Sequence, residues 1–385
     1  MSTPLPRAEF AVTQRYVYLN HAAVGVLPQS TLGALESFLR SHASAGVLGT
    51  FPYENAMPHS REAIGRFVGA SGEEIAIVPN TSFGANVLAL GIAWQPGDEV
   101  LLCDNEFPSN AIPWLALRDR GVGVRLLDAA RRRLTPDVLR AEMTARTRAV
   151  SVSWVSYADG YRHDLAGLAE IAHAGGALFV VDAIQGLGAF PLDVRAAQID
   201  ALYAGAAKWL LGLQGVGFLY VRAGLIDRLR LAAPGWRSVA DIWDFHNYDQ
   251  PLSPHASRFE GGTPSFLGTL SMTSSIALIE RAGTPAIAAH VLALTDRLVD
   301  GLRSVGARIA SQRGEGISSG IVTFSMPGAQ SVALGRLLQR EGIVTTWRPT
   351  GIRVAPHGYN TSAEIDRLLE LLPQCVAELA SKERV

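Results

Sequence analysis

The sequence predicts an α/β protein: a mostly parallel β-sheet covered by helices, followed by a smaller α+β domain at the C-terminal end. Three observations predict it. Short, almost wholly apolar runs alternate with helical patterns between residues 74 and 221, as strands buried on both faces and separated by crossover helices do. The chain is 385 residues long, 48% hydrophobic and 18% charged, a composition and length that suit about two well-packed domains. Beyond residue 265 the alternation gives way to two long helical patterns and a mixed tail.

Taken in order, "EIAIVP" (74–79) reads as a strand and "SFGANVLALGIAW" (82–94) as a helix. "DEVLLCD" (98–104) is a strand, "NAIPWLALRDRG" (110–121) a helix ending at glycine, and "VGVRLLD" (122–128) a strand. "TPDVLRAEMT" (135–144) starts a helix with Thr135 as cap and Pro136 in the first position. "TRAVSVSWVS" (147–156) and "ALFVVDA" (177–183) are strands around a helix at 164–176, and "IDALYAG" and "GVGFLYV" are two more strands. Residues 234–265 are rich in aromatics, Pro and Gly and read as a long loop of the kind that carries function. Helices follow at 267–281 and 285–304, then "GIVTFSM", "LLQREGIVTTW" and "GIRVAP", and a last helix at 361–381. In such sheets ligands bind beyond the carboxyl ends of the strands, which puts the turns after residues 79, 104, 156 and 182 on one rim.

Composition excludes several classes. Lys+Arg number 34 against 35 Asp+Glu, so no general nucleic-acid or acidic-membrane partner is expected. Arg131-Arg132-Arg133 has no interleaved aromatics and reads as a solvated loop. Two isolated cysteines, Cys103 and Cys375, argue against a disulfide scaffold or a zinc site and fit a reducing cytoplasm. Neither a signal pattern in "MSTPLPRAEF" nor an uncharged apolar run long enough to span a membrane is visible. "GISSG" (316–320) has the spacing of a hydrolase nucleophile, but a Gly-rich loop precedes it and a strand follows, the reverse of what that motif needs.

Three stretches carry chemistry. "FVVDAIQGLG" ends a buried strand in Asp182, with Gln185 three residues on; a carboxylate there is costly unless paired, although a helix cap would also explain it. "GAAKWLLG" sets Lys208 among small and apolar residues, where desolvation lowers its pKa as a Schiff-base lysine requires; a lysine snorkelling to the surface is the alternative. "PNTSFGAN" (79–86) is a strand-to-helix turn whose free amides suit a phosphate, or whose Thr81 and Ser82 simply cap the helix. An anion cup, a buried acid and a buried amine on one rim are the equipment for pyridoxal 5′-phosphate.

With these motifs the chain resembles the fold-type I, PLP-dependent aminotransferase class V family. "NTSFGAN", "EFPSN", "VDAIQ", "KW", "RFEGGTP" and "RVAPHGYNT" stand in family order. The resemblance implies a large domain over 21–255 built on a mostly parallel seven-stranded sheet, a small domain over 256–385, and a segment 1–20 packing near the small domain. It implies Lys208 as the amine that joins the cofactor and shuttles protons, and Asp182 as partner of the pyridine nitrogen. Gln185 would lie at the ring oxygen, Ser82 and Phe83 at the phosphate, Phe107 over the ring and Tyr157 near its oxygen. Thr263 would reach the phosphate of a neighbouring subunit, hence a homodimer. Arg353 would take the α-carboxylate of an amino-acid substrate, a bidentate task for a guanidinium, with His21 and Tyr157 also near substrate.

The sequence also departs from the family. Gly205 and Ala207 stand where many relatives have serine and histidine, and Phe107 where many have a histidine. No cysteine occurs shortly before Arg353, so a persulfide-forming cysteine desulfurase is not expected. The "SYADGYRHDL" and "GWRSV" stretches look closest to the isopenicillin N epimerase-like branch. A C–S β-lyase acting on a cysteine S-conjugate is the expected activity. Aminotransferase, epimerase, decarboxylase or oxidative deaminase are the alternatives, as is a non-catalytic PLP-fold binding protein. Trp236, Arg237, Trp243, Phe245 and His246 are candidates for a substrate lid, with packing the commoner role for each, and Tyr157, His21 or His246 could serve as a second base.

Overall fold

The computed structural model describes residues 3–129 and 132–382. The chain opens with two short 3-10 turns (Arg7–Glu9 and Ala11–Gln14) and strand β1 (Val17–Tyr18), followed by helices α1 (Gln29–Ala45), α2 (Val47–Asn55) and α3 (Met57–Val68). The large sheet is then laid down as β2 (Ile75–Val78), α4 (Thr81–Gly91), β3 (Glu99–Cys103), α5 (Pro108–Leu115), β4 (Gly123–Leu127), α6 (Pro136–Glu142), β5 (Thr147–Ser153), α7 (Leu165–Ala174), β6 (Leu178–Asp182), β7 (Ala201–Gly205) and β8 (Gly217–Val221), with a short α8 (Ala223–Ile226) after it. The last part holds α9 (Phe266–Ala282), α10 (Thr284–Ser304), β9 (Arg308–Ile309), β10 (Val322–Ser325), α11 (Ser331–Arg340), β11 (Ile343–Val344), β12 (Thr346–Arg348), β13 (Gly351–Val354) and α12 (Ser362–Lys382).

The large sheet runs β2-β8-β7-β6-β5-β3-β4. Its members from β7 to β4 are parallel to their neighbours, whereas β8 is antiparallel to both β7 and β2. The period-2 geometry of a strand divides its side chains between two cores. Ile75 and Ile77 of β2 and Leu202 and Ala204 of β7 enter one apolar cluster; Ala76, Val78, Ala201 and Tyr203 enter the other. Every residue of β2, β7 and β8 is buried, which is why these strands read as continuous apolar runs. Helix starts follow local chemistry: Asn80, Thr135, Asp164 and Ser265 accept from backbone amides three residues on, and Pro136 sits in the first turn of α6. The helix expected at 110–121 begins earlier, at Pro108, and tightens into a 3-10 turn over Ala116–Arg120 before Gly121 (φ 76°) ends it.

The second sheet, β12-β13-β10-β9, has its own core with α10, α11 and α12, in which Cys375 is buried. β1 pairs in parallel with β11, joining the N-terminal segment to this unit. Met272, Ile276 and Ile279 of α9 and Ile287 and Val291 of α10 pack in the core of the large sheet, as do Ile321, Ala355 and Tyr359 further along the chain. Of the expected basic triplet, Arg131 lies outside the described residues; Arg132 pairs with Glu142 and Arg133 with Asp159. No single helix among the described residues is long and apolar enough to cross a membrane.

Helix α4 is seated on β7 through a glycine: a Cβ at Gly84 would lie 2.7 Å from Tyr203 Cβ. Gly84→Ala is therefore expected to lower the thermal unfolding midpoint, with a destabilisation of about 1–3 kcal/mol from overpacking. Circular dichroism melts check this, and an unshifted midpoint would contradict the close seating of α4.

Candidate active site

The carboxyl ends of β3, β5, β6 and β7 meet at one rim. Lys208 lies in the turn after β7, and that turn is held from several sides. The Ala206 amide donates to Val216 O (3.0 Å), Leu211 to Lys208 O (3.1 Å), Gly212 to Ala206 O (2.9 Å) and Gly25 to Ala207 O (2.7 Å). A Cβ on Gly25 would fall 2.1 Å from Lys208 O, so only glycine permits that approach. Leu211 carries a positive φ of 59°, unusual for a non-glycine residue. The next residue, Trp209, is 1% exposed; its Nε1 donates to Gln185 Oε1 (2.9 Å) and its carbonyl is 2.9 Å from His357 Nε2. With the backbone anchored inward, the lysine side chain projects across the rim, and Nζ sits 5.3 Å from the centroid of the Phe107 ring.

Asp182 ends β6, the neighbour of β7, and is 2% exposed. Among the described residues, its carboxylate receives one hydrogen bond, from the Ile184 amide (3.0 Å). Burial raises its pKa; the Ile184 bond and the Lys208 charge oppose that rise, and Glu106 adds to it. Burial lowers the pKa of Lys208; Asp182 works against that, while Arg353 and Arg348 add to it. The amine and the carboxylate sense one another across a gap, with no ion-pair contact between them.

Helix α4 points its first turn at the same rim. Ser82 Oγ donates to Ser109 Oγ (2.9 Å). Thr81 Oγ1 is buried and has no hydrogen-bond partner. Gly205 packs closely beside it: a Cβ there would lie 3.3 Å from that oxygen and 3.2 Å from Ile184 Cδ1. The Phe83 amide, expected at a phosphate, instead donates to Asn80 Oδ1 (2.9 Å), because Asn80 caps the helix.

The opposite wall comes from the second sheet. Arg353 of β13 is 6% exposed; Nη1 donates to Tyr157 O (2.7 Å), Nη2 to Thr346 Oγ1 (3.3 Å), and Nε is buried without a partner. Burial, then the charge of Arg348, push its pKa down to about 10. Tyr157 meets Phe107 edge-on at 5.2 Å, and the Arg348 guanidinium lies 5.3 Å from the Tyr157 ring centroid.

Other expected residues have different surroundings. His21 is fully buried, its Nδ1 2.9 Å from Ala355 O and its Nε2 2.9 Å from Tyr359 Oη, and burial followed by His357 holds its pKa well below the ordinary value. Both ring nitrogens are engaged, so it is a packing residue rather than a substrate contact or base. Gln185 is 3% exposed, donating to Ala22 O (3.0 Å) while accepting from Trp209. Thr263 is exposed. Of the lid candidates, Arg237 is buried against Glu54 (2.8 Å). Trp236, Trp243 and Phe245 form an exposed aromatic cluster with centroids 6.0–6.3 Å apart.

Sequence reasoning missed Glu106, Asn110, Thr346 and Arg348. Glu106 is buried; Asn110 Nδ2 (2.9 Å), the Ser153 amide (2.8 Å) and Ser153 Oγ all donate to it. Ser153 is the register partner of Asp182 across β5 and β6, so this network braces the strand end that carries the acid. "EFPSN" held that signal, a Glu and an Asn four apart at a helix start. The two arginines in "WRPTGIRV" held the other.

A doubly covered α/β sheet with a desolvated amine and a desolvated acid at its carboxyl rim defines a PLP-type site, and the comparisons agree. The family model of aminotransferase class V matches residues 17–368, and the chain belongs to that family. It is 29% identical over 365 residues to an uncharacterized aminotransferase, YcbU, of Bacillus subtilis, covering 94% of this chain and 95% of that protein. It is 28% identical over 396 residues to a probable cysteine desulfurase of Methanothermobacter thermautotrophicus, covering 97% and 98%. The apo structure of the cysteine desulfurase of Thermococcus onnurineus superposes with a TM-score of 0.88 at 25% identity, covering 98% of this chain and all of that one. These relatives overturn the expectation that the protein stands apart from persulfide-forming cysteine desulfurases: one loop without cysteine does not separate it from proteins it matches along almost their whole length. The cofactor of this family, and of this protein, is pyridoxal 5′-phosphate. The buried unpartnered Thr81 Oγ1 at the first turn of α4 and the buried Asp182 carboxylate, which takes one amide hydrogen bond and forms no ion pair with Lys208, fit that group.

Because Lys208 loses its proton more readily than an ordinary lysine of pKa 10.5, apoprotein is expected to take up PLP faster as pH rises, with a midpoint below 10.5. Visible absorbance after mixing checks this, and Lys208→Ala should abolish the absorbing species. A midpoint at or above the ordinary lysine value would contradict the desolvated setting of the amine.

Proposed function

We propose that the protein cleaves the carbon–sulfur bond of a cysteine S-conjugate by β-elimination. The observation that carries this reading is the single amine, Lys208, facing a wall of two aromatic rings, Phe107 and Tyr157. β-Elimination asks for one base at the α-carbon, and a thiolate leaves without help from an acid. Epimerisation asks for a second base on the other face; of the three candidates, His21 has both nitrogens engaged and His246 is exposed in the aromatic loop, which leaves that task to the Tyr157 hydroxyl. Relatives named cysteine desulfurases support a sulfur amino acid as substrate.

When bound, PLP supplies an electron sink that stabilises negative charge at the substrate α-carbon. The chain's own groups would do the rest. Ser82 Oγ and the free amides of the first turn of α4 would hold the phosphate. Asp182 would keep a proton on the pyridine nitrogen, Gln185 would approach the ring oxygen, and Phe107 would cover the ring face. Lys208 Nζ would anchor the cofactor and then carry the α-proton. Arg353, with Tyr157 beside it, would fix the α-carboxylate. Thr263 of a second copy would complete the phosphate site, so the active form in this proposal is a homodimer.

Transamination is a second reading, supported by the relative named an aminotransferase, and cysteine desulfuration a third, supported by the desulfurase relatives; both use the same amine and the same carboxylate clamp. Incubation of the holoenzyme with a panel of S-substituted cysteines, cysteine and ordinary amino acids tests the proposal. Thiol, pyruvate and ammonia in equal amounts are expected from the conjugates. Keto acid without thiol would replace the proposal with transamination, and protein-bound persulfide formed from cysteine would replace it with desulfuration.

A further inference from the structure

Strand register assigns a role to a residue that the reading above leaves idle. In the β12–β13 hairpin, Thr346 pairs with Arg353 and Arg348 with Gly351. Cross-strand partners share a face, as do residues two apart on one strand. Thr346, Arg348, Gly351 and Arg353 therefore present one face of the hairpin to the same side, and Gly351 contributes no side chain between the two arginines. Both guanidinium groups meet Tyr157, Arg353 through that residue's carbonyl (2.7 Å) and Arg348 over its ring (5.3 Å).

The two arginines differ in what satisfies them. Arg353 is 6% exposed and reads as the partner of the substrate α-carboxylate. Arg348 is exposed at the edge of the sheet and forms no ion pair with any acid among the described residues. Arg348 lies over the Tyr157 ring, Lys208 Nζ over the Phe107 ring that meets it, and Arg353 on the Tyr157 carbonyl, so three cationic groups surround one aromatic pair, and the charge of Arg348 bears on both Arg353 and Lys208. Like charges gathered this way are unfavourable until anions arrive. An α-carboxylate satisfies one guanidinium and leaves the other.

We infer that the preferred substrate carries a second anionic group, a carboxylate or sulfonate on its side chain, and that Arg348 binds it as a specificity-determining residue. This rests on Arg353 serving the α-carboxylate, as proposed above. The planar fork of Arg348 suits a carboxylate bidentately, and the Tyr157 ring beneath it leaves the edge of the guanidinium free to donate. The S-substituent of a conjugate with such an acid two or three bonds beyond sulfur would extend from the α-carbon toward the outer hairpin.

The test compares S-(2-carboxyethyl)-L-cysteine with its neutral amide, S-(2-carbamoylethyl)-L-cysteine, on the holoenzyme. The ratio of kcat/KM for acid over amide should exceed one. In Arg348→Gln that ratio should fall by about tenfold, the scale of a hydrogen bond to a charged group. Arg348→Lys should recover part of it, and Arg348→Glu should invert the preference toward a conjugate ending in an amine. Calorimetry provides a readout independent of turnover: glutarate should bind wild type more tightly than butyrate, and Arg348→Gln should erase the difference. Thiol release with equal efficiency from acid and amide, or a ratio untouched in Arg348→Gln and Arg348→Glu, overturns the inference and leaves the lyase proposal standing. An Arg348-dependent glutarate preference in a protein that releases no thiol supports the inference and overturns the lyase proposal.

Discussion

The site depends on holding one ammonium and one carboxylate out of water at the ends of two neighbouring strands. Burying either alone would be costly, and the Lys208 amine and the Asp182 carboxylate offset that only in part because they stand apart rather than in contact. The chain spends packing and backbone strain on this arrangement. Gly25 admits the Lys208 carbonyl, Leu211 turns with a positive φ, and Trp209 is fixed by Gln185 and His357. Behind Asp182, Glu106 ties the end of β5 to the turn after β3 through Ser153. A pair of charges held apart in a dry setting leaves room for a polar ring with a basic nitrogen at one end and an electrophilic carbon at the other.

The substrate side of the pocket is a product of both sheets. Arg353 stands on β13 of the smaller sheet, yet its position is set by the carbonyl of Tyr157 in the loop after β5 of the larger one. The same loop is bound by Thr323 Oγ1 of β10, which donates to Ala158 O (2.7 Å), and by Ser319 Oγ in the segment before β10, which donates to Gly160 O (2.6 Å). These three contacts tie one loop to the smaller unit, so a shift between the two units would move Arg353 relative to Lys208.

Much of the large sheet was legible because its strands are buried on both faces, and a run such as "LFVVD" admits few other readings once helices flank it. The cap at Thr135 was legible from its own neighbourhood, a Thr followed by Pro136 at the start of a helical pattern. Helices α1 to α3 were not, since α1 buries only Thr31, Leu35 and Phe38 and leaves Leu39 half exposed, so its apolar stripe is faint. At the site, Lys208 and Asp182 stood out as charges inside apolar runs. His21 did not declare itself as a packing residue, because whether a histidine is engaged depends on partners more than 330 residues away, Ala355 and Tyr359. Arg348 was passed over because its meaning lies in hairpin register, which one strand alone does not reveal.

The most direct test of the central claim is diffraction from crystals of the protein grown with pyridoxal 5′-phosphate. The account predicts continuous electron density from Lys208 Nζ to the cofactor, with the pyridine nitrogen turned to Asp182 and the phosphate at the first turn of α4. A cofactor seated elsewhere, or seated there with the Lys208 side chain directed to solvent, would contradict it.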